Sequence, residues 1–297
     1  MTTQRKTWLA FVAVVIVGGS NAVAVRFSNL ELPPFWGAGL RFGAAAVILW
    51  AIVLGRRMPL PRGRALFGAL IFGALAIGLA YALLYWALLS VTASLTMVVL
   101  AIGPLLTFFL AWAHGQEPFR WRGLVGALVA FAGILVIVGN QIGASIPLLP
   151  LLALFAAALM QSESAVLYKF FPQSHPLVVN ALALSIGTAI LLLASVIAGE
   201  TPGLPAARAT WVALVYLILA GSVLLFYLVL YVLQHWTASA TSYIFLLFPV
   251  ATIVIASWLA DEVVTPGFLA GAAIIIFGVW LGAIARPARL KARPAVS

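Results

Sequence analysis

The 297-residue chain has no cysteine, which removes disulfides, thiolate metal sites and cysteine nucleophiles from consideration. Charge is scarce as well, with 7% charged residues against roughly 25% in soluble globular proteins. Six residues are acidic and three are histidines. No HExxH, GxSxG or acidic metal-binding cluster occurs, and the histidines are scattered at or near loops, so an intramembrane enzyme has no chemistry to stand on. No catalytic residue, metal or cofactor is expected.

Apolar residues are what the chain has in abundance. Hydrophobic residues make up 65% and mean hydropathy is +1.20, which excludes disorder and would leave a soluble protein with much apolar surface in water. The chain reads as an all-α integral membrane protein. Its net charge of +10 could suit nucleic acid, but that needs a folded basic face, and here the charges sit between apolar runs. The N-terminal MTTQRKTWLAFVAVVIVGG has the outline of a signal peptide, with Arg5 and Lys6 as its basic region. Arg26 and a further span follow without a cleavage pattern, so it reads as the first span.

A spanning helix needs about 20 mostly apolar residues. On that window, spans fall near 8–25, 34–54, 65–87, 92–113 and 123–140, and again near 148–168, 177–198, 210–234, 238–259 and 267–285. Basic residues in short loops favour the cytoplasm. With the N-terminus inside, that side holds Arg5, Lys6, Arg56, Arg57, Arg62, Arg64, Arg120, Arg122, Lys169, Arg286, Arg289, Lys291 and Arg293, thirteen against Arg26 and Arg208 outside. Both termini are therefore expected in the cytoplasm.

TASLT at 92–96 returns as TASAT at 237–241. At the same offset of 145, Pro104 meets Pro249, Thr107 meets Thr252, Glu117 meets Glu262, Gly126 meets Gly271 and Gly133 meets Gly278. The agreement falls on helix breakers and on two of the six acids, which marks an internal duplication. The expected units are 1–143 and 144–297, each with five spans. An odd number of spans inverts the second unit in the membrane, the arrangement of transporters whose substrate site lies between the two halves.

The segment HGQEPFRWRGLVGALVAFAGILVIVG and its partner LADEVVTPGFLAGAAIIIFGVWLGAIA, with the five-plus-five pattern, resemble the EamA repeats of the drug/metabolite transporter superfamily. Within it, the chain looks most like the YddG-type exporters of aromatic and other neutral amino acids. The resemblance implies ten transmembrane helices in two inverted repeats around a central cavity, in the inner membrane of a bacterium. Helices one to four and six to nine would surround the cavity, with helices five and ten peripheral. The second hairpin departs from the first, reading Asp261-Glu262-Val263 where the first has Gln116-Glu117-Pro118. The two glutamates would lie on opposite sides of the membrane, and helix capping is their favoured role.

Two ionisable residues fall within apolar spans, Arg41 and Glu163. An intramembrane charge costs about 2.5–3.5 kcal/mol on insertion scales and usually faces a bundle interior or a wet cavity. Arg41 would attract a substrate carboxylate and Glu163 an ammonium group or a proton; the competing reading is an ion pair within the protein. In GGSNAVAVRF and QSESAVLYKF, Ser20 matches Glu163 and Asn21 matches Ser164. Asn21 and Ser164 are candidate ligand contacts, although such residues also join helices. Tyr81 with Tyr85, and Tyr227 with Tyr231, form one-turn ladders on the third and eighth spans.

Such a cavity suits amphipathic cargo. The expected function is export of small amphipathic metabolites, chiefly amino acids including aromatic ones, by alternating access. Export of hydrophobic cations is the alternative. Expected partners are a small-molecule substrate and lipid, with the chain a monomer or weak homodimer. Gly267 with Gly271, and Gly278 with Gly282, offer GxxxG faces for helix packing or a dimer contact.

Overall fold

The computed structural model describes residues 3–90, 96, 99–138, 148–260 and 266–284. Among these residues all regular structure is helical. The helices are α1 (Thr3–Ser28), α2 (Pro34–Gly55), α3 (Arg64–Leu88), α4 (Gly103–Ala113), α5 (Trp121–Val138), α6 (Leu148–Tyr168), α7 (Pro176–Ile197) and α8 (Arg208–His235). They are followed by α9, in two pieces (Ala238–Ser242 and Ile244–Ala260), and α10, Pro266–Val279 continuing into Trp280–Ile284. Five of them, α2, α3, α6, α7 and α8, have the length and apolarity to cross a membrane, and shorter apolar helices accompany them. Pro34 and Pro176 stand in the first turns of α2 and α7, where a missing N–H costs nothing.

Three stretches depart from α geometry, Trp280–Ile284 at the end of α10 among them, and the other two do so at matching places. Gly73–Leu79 in α3 and Leu219–Leu224 in α8 are π-helical. Adding the repeat offset of 145 to 73 and 79 gives 218 and 224, so the two wide turns occupy corresponding positions of the two copies. A π turn bonds i to i+5 and leaves carbonyls open to other donors, which is why such turns gather at functional sites. Pro104 does not bend a continuous helix; Ala101–Ile102 form a turn and α4 restarts at Gly103.

α2 packs along α7, α3 along α7 and α6, and α1 along α8 and α9. Phe42, Leu49, Leu184 and Leu191 are completely buried where α2 and α7 meet. Val47, Leu54, Leu149, Val196 and Ile197 remain exposed, a surface suited to acyl chains. In lipid, helix association rests on close packing rather than on water exclusion. The tenth-span glycines act in that way inside the chain, because α5 and α10 touch backbone to backbone. A Cβ on Gly278 would lie 2.5 Å from the Ala130 nitrogen and 2.6 Å from the Gly126 carbonyl oxygen. One on Gly133 would lie 2.8 Å from the Gly271 oxygen.

Three of the six acids cap helices across the repeats. Glu200 accepts from the Phe35 and Trp36 amides at 3.0 and 2.7 Å, and Glu31 accepts from Ala206 and Ala207 at 2.9 and 3.1 Å. At the opposite end of the bundle, Glu117 accepts from the Ser239 amide at 3.1 Å and from the Ser239 hydroxyl. Each carboxylate thus meets the positive end of a helix that belongs to the other copy. Thr237 completes the start of α9 by accepting from Ala240 N at 3.2 Å, which accounts for TASAT. TASLT, apart from Thr96, and Glu262 lie outside the described residues.

Candidate functional site

The π turn of α8 organises the main polar cluster. Arg41, in α2, is buried at 3% exposure. Its Nη2 donates to the Gly221 carbonyl at 2.8 Å and its Nε to the Ser222 hydroxyl at 2.8 Å. Ser222 passes its own proton to the Leu217 carbonyl at 2.9 Å. Asn21, from α1, donates to the same Gly221 carbonyl at 3.2 Å. A Cβ at 221 would strike the Asn21 side chain, so a larger residue there would have to turn Asn21 aside.

Arg41 has no carboxylate partner among the described residues. A guanidinium has five N–H donors; Arg41 directs them to Gly221 and Ser222 and also meets the Tyr85 hydroxyl. Asn21 Oδ1 is buried and receives no hydrogen bond. A buried acceptor of that kind calls for a missing donor. The cluster therefore offers a cation and a vacant acceptor side by side.

Aromatic rings wall the cluster. Tyr81 stands edge-on to Phe42 at 5.0 Å and to Phe226 at 6.4 Å, with Tyr85 at 6.2 Å. Arg41 is an electrostatic neighbour of both tyrosine hydroxyls. A groove of about 620 Å³ opens between α1, α8 and α9, lined by Ser20, Ala24, Phe27, Val212, Tyr216 and Ile255, with Arg208 at the start of α8. Ser20 and Tyr216 share a hydrogen bond. Ser20 precedes Asn21 and Tyr216 lies five residues before Gly221, so the groove adjoins the cluster along both helices.

Asn21, Arg41, Tyr81 and Tyr85 are thus gathered in one place, and the other expected residues lie elsewhere. Glu163 pairs with His114 at 3.0 Å instead of with Arg41. Ser164 spends its hydroxyl within α6, donating to the Gln161 carbonyl at 2.7 Å. Tyr227 stacks on Tyr231 at 6.4 Å, and Tyr231 meets the His235 ring at a tilt, 4.3 Å away. The residues that sequence reasoning did not single out are Gly221, Ser222, Tyr216 and His114. The Gly-Ser pair within an apolar run was the available signal for the first two.

Lys169, just past α6, donates to the Trp236 carbonyl at 2.7 Å. Burial lowers its pKa to about 8, against an opposing pull from Glu117. Between about 8 and the ordinary 10.5 the unfolded chain holds a proton that the folded chain has released, so stability rises with pH across that window. Thermal unfolding in detergent at pH 8 and pH 10 should show a gain for the wild type, relative to Lys169→Met, that the variant lacks.

Comparison with known proteins agrees with the architecture. The model of the EamA-like transporter family matches twice, over residues 5–139 and 148–283. The uncharacterized inner membrane transporter YedA of Escherichia coli K12 is 26% identical over 282 residues, covering 92% of this chain and 89% of its own. An uncharacterized transporter of Archaeoglobus fulgidus is 24% identical over 292 residues, covering 94% and 97%. A solved crystal structure shares the fold with a TM-score of 0.78 at 19% identity, covering 94% of this chain and 98% of its own. With both halves matched, the chain belongs to the EamA-like transporter family and is a membrane transporter.

Proposed function

We propose that the protein exports small zwitterions with apolar or aromatic side chains, chiefly amino acids, in the manner of the YddG-type exporters. The observation that carries this reading is the buried Arg41 guanidinium, which has no carboxylate partner among the described residues and lies beside the unfilled acceptor of Asn21. A substrate carboxylate would take donors of Arg41, and its ammonium group would donate to Asn21 Oδ1. Tyr81, Tyr85 and Phe226 would receive the side chain. One cation suits a carboxylate, and a phosphate-bearing cargo would ask for more. The same cation opposes a hydrophobic cation as cargo.

The cluster is closed in this conformation. Access would come from rocking of two inverted units, residues 1–143 and 144–297, with ten spans and both termini in the cytoplasm. A cysteine introduced at Gly203 should then react with an impermeant maleimide from outside the cell; labelling only from the cytoplasmic side would overturn this orientation. Substrate class is tested by uptake of labelled phenylalanine into proteoliposomes. Competition by neutral amino acids, without competition by quaternary ammonium compounds, is the expected result.

A further inference from the structure

We propose that the His114–Glu163 pair is a proton-binding site that couples substrate movement to a proton gradient. The inference rests on the transporter reading and adds the coupling ion to it. His114 Nε2 lies 3.0 Å from Glu163 Oε1, and the two side chains keep 35% and 21% of their surface exposed, so water reaches the pair. The second carboxylate oxygen, Oε2, is shielded and has no hydrogen-bond partner. A shielded carboxylate oxygen without a donor leaves the pair one unfilled place for a hydrogen.

A metal ion fits this place poorly, since no group of three His, Cys, Asp or Glu side chains occurs among the described residues. A proton asks for no coordination shell. The pair also bridges the two copies: His114 follows α4 in the first, and Glu163 stands on α6 in the second. A proton taken up by the pair changes the charge carried across the contact between α4 and α6, and that contact reverts when the proton leaves. Proton occupancy thereby acts on the contact between the units that have to move.

The neighbouring groups have contacts of their own. The His114 ring meets Phe170 edge-on at 5.6 Å. Gln116, two residues after His114, directs its amide to the Val166 carbonyl at 2.8 Å. Of the charged groups on the adjoining connection, Glu117 is engaged by Ser239 and lies 3.5 Å from Arg120, and Lys169 is held by Trp236. On the other packed elements, Tyr168 receives from Gln234 at 3.2 Å, Tyr81 and Tyr85 face Arg41, Tyr243 donates to the Gly123 carbonyl at 2.6 Å, and Arg64 stands at the start of α3.

The test uses the full-length protein in proteoliposomes carrying an internal pH dye. A phenylalanine gradient should move protons in the wild type, and an imposed pH gradient should drive phenylalanine accumulation. Glu163→Gln should lose both by at least tenfold while exchanging labelled for unlabelled phenylalanine at the wild-type rate, because exchange needs no net proton transfer. His114→Gln should keep exchange and shift the pH profile of driven transport. Absence of substrate-linked proton movement in the wild type overturns the inference, as does a Glu163→Gln protein that still moves protons or that loses exchange in step with driven transport. If the wild type exchanges no phenylalanine, the amino acid reading fails by itself, and the proton arm is then read with tetraphenylphosphonium as the driven solute.

Discussion

Replacing Arg41 with alanine should reduce phenylalanine transport by roughly 100-fold and leave the fold intact. Removing one partner of a buried hydrogen-bonded charge pair costs about 2–5 kcal/mol, and each 1.4 kcal/mol is about tenfold. The fold should tolerate the loss because both groups that accept from Arg41 at the π turn of α8 keep a partner. Ser222 still donates to Leu217, and the Gly221 carbonyl still accepts from Asn21. The membrane is also relieved of a charge costing about 2.5–3.5 kcal/mol to insert. Uptake in proteoliposomes, normalised to folded protein by size-exclusion chromatography, checks both parts. Arg41→Lys should recover part of the activity, since it restores the charge without the planar fork. An Arg41→Ala protein that misfolds would assign the guanidinium to structure.

Gly278→Leu should prevent folding or lower stability by about 3 kcal/mol or more, toward the upper range for overpacking. The neighbours that a side chain would meet are the Ala130 nitrogen and the Gly126 carbonyl oxygen. They are backbone atoms and cannot turn aside as a rotamer can. Gly203→Leu is the matched control, since nothing lies within 4 Å of a Cβ there. Thermal unfolding in detergent should separate the two variants. Equal melting temperatures would mean that α5 and α10 do not pack as closely as the structure has them.

Both effects trace to features that the sequence displays unevenly. Apolar length bounded by Pro33-Pro34, Gly55, Pro176 and Gly199 marks helix ends within a few residues, because breakers and run lengths are local properties. The tenth-span glycines were visible as GxxxG faces for helix packing or a dimer contact; that α5 is what they meet was not. The π turns were not legible: widening one helical turn leaves the run of apolar residues unchanged. That hid the Gly221 carbonyl as the seat of Arg41. The partner of Glu163 was hidden for another reason, since His114 is 49 residues away and no periodicity links a loop histidine to a helix on the other copy. Glu117 was legible as a cap, but the helix it caps begins at Ala238. Contacts across the duplication depend on how the halves fold together, and Ser20–Asn21 against Glu163–Ser164 shows how far matched positions can diverge in use.

The central claim is that Arg41 holds the carboxylate of a zwitterionic substrate. Competition binding with labelled phenylalanine on the purified protein tests it most directly, using phenylalanine and phenethylamine, which differ by that carboxylate alone, on wild type and Arg41→Ala. The account predicts that phenethylamine competes at least tenfold more weakly than phenylalanine on the wild type, and that the preference disappears in the variant. Phenethylamine competing as well as phenylalanine on the wild type, or a preference that survives the loss of Arg41, would contradict it.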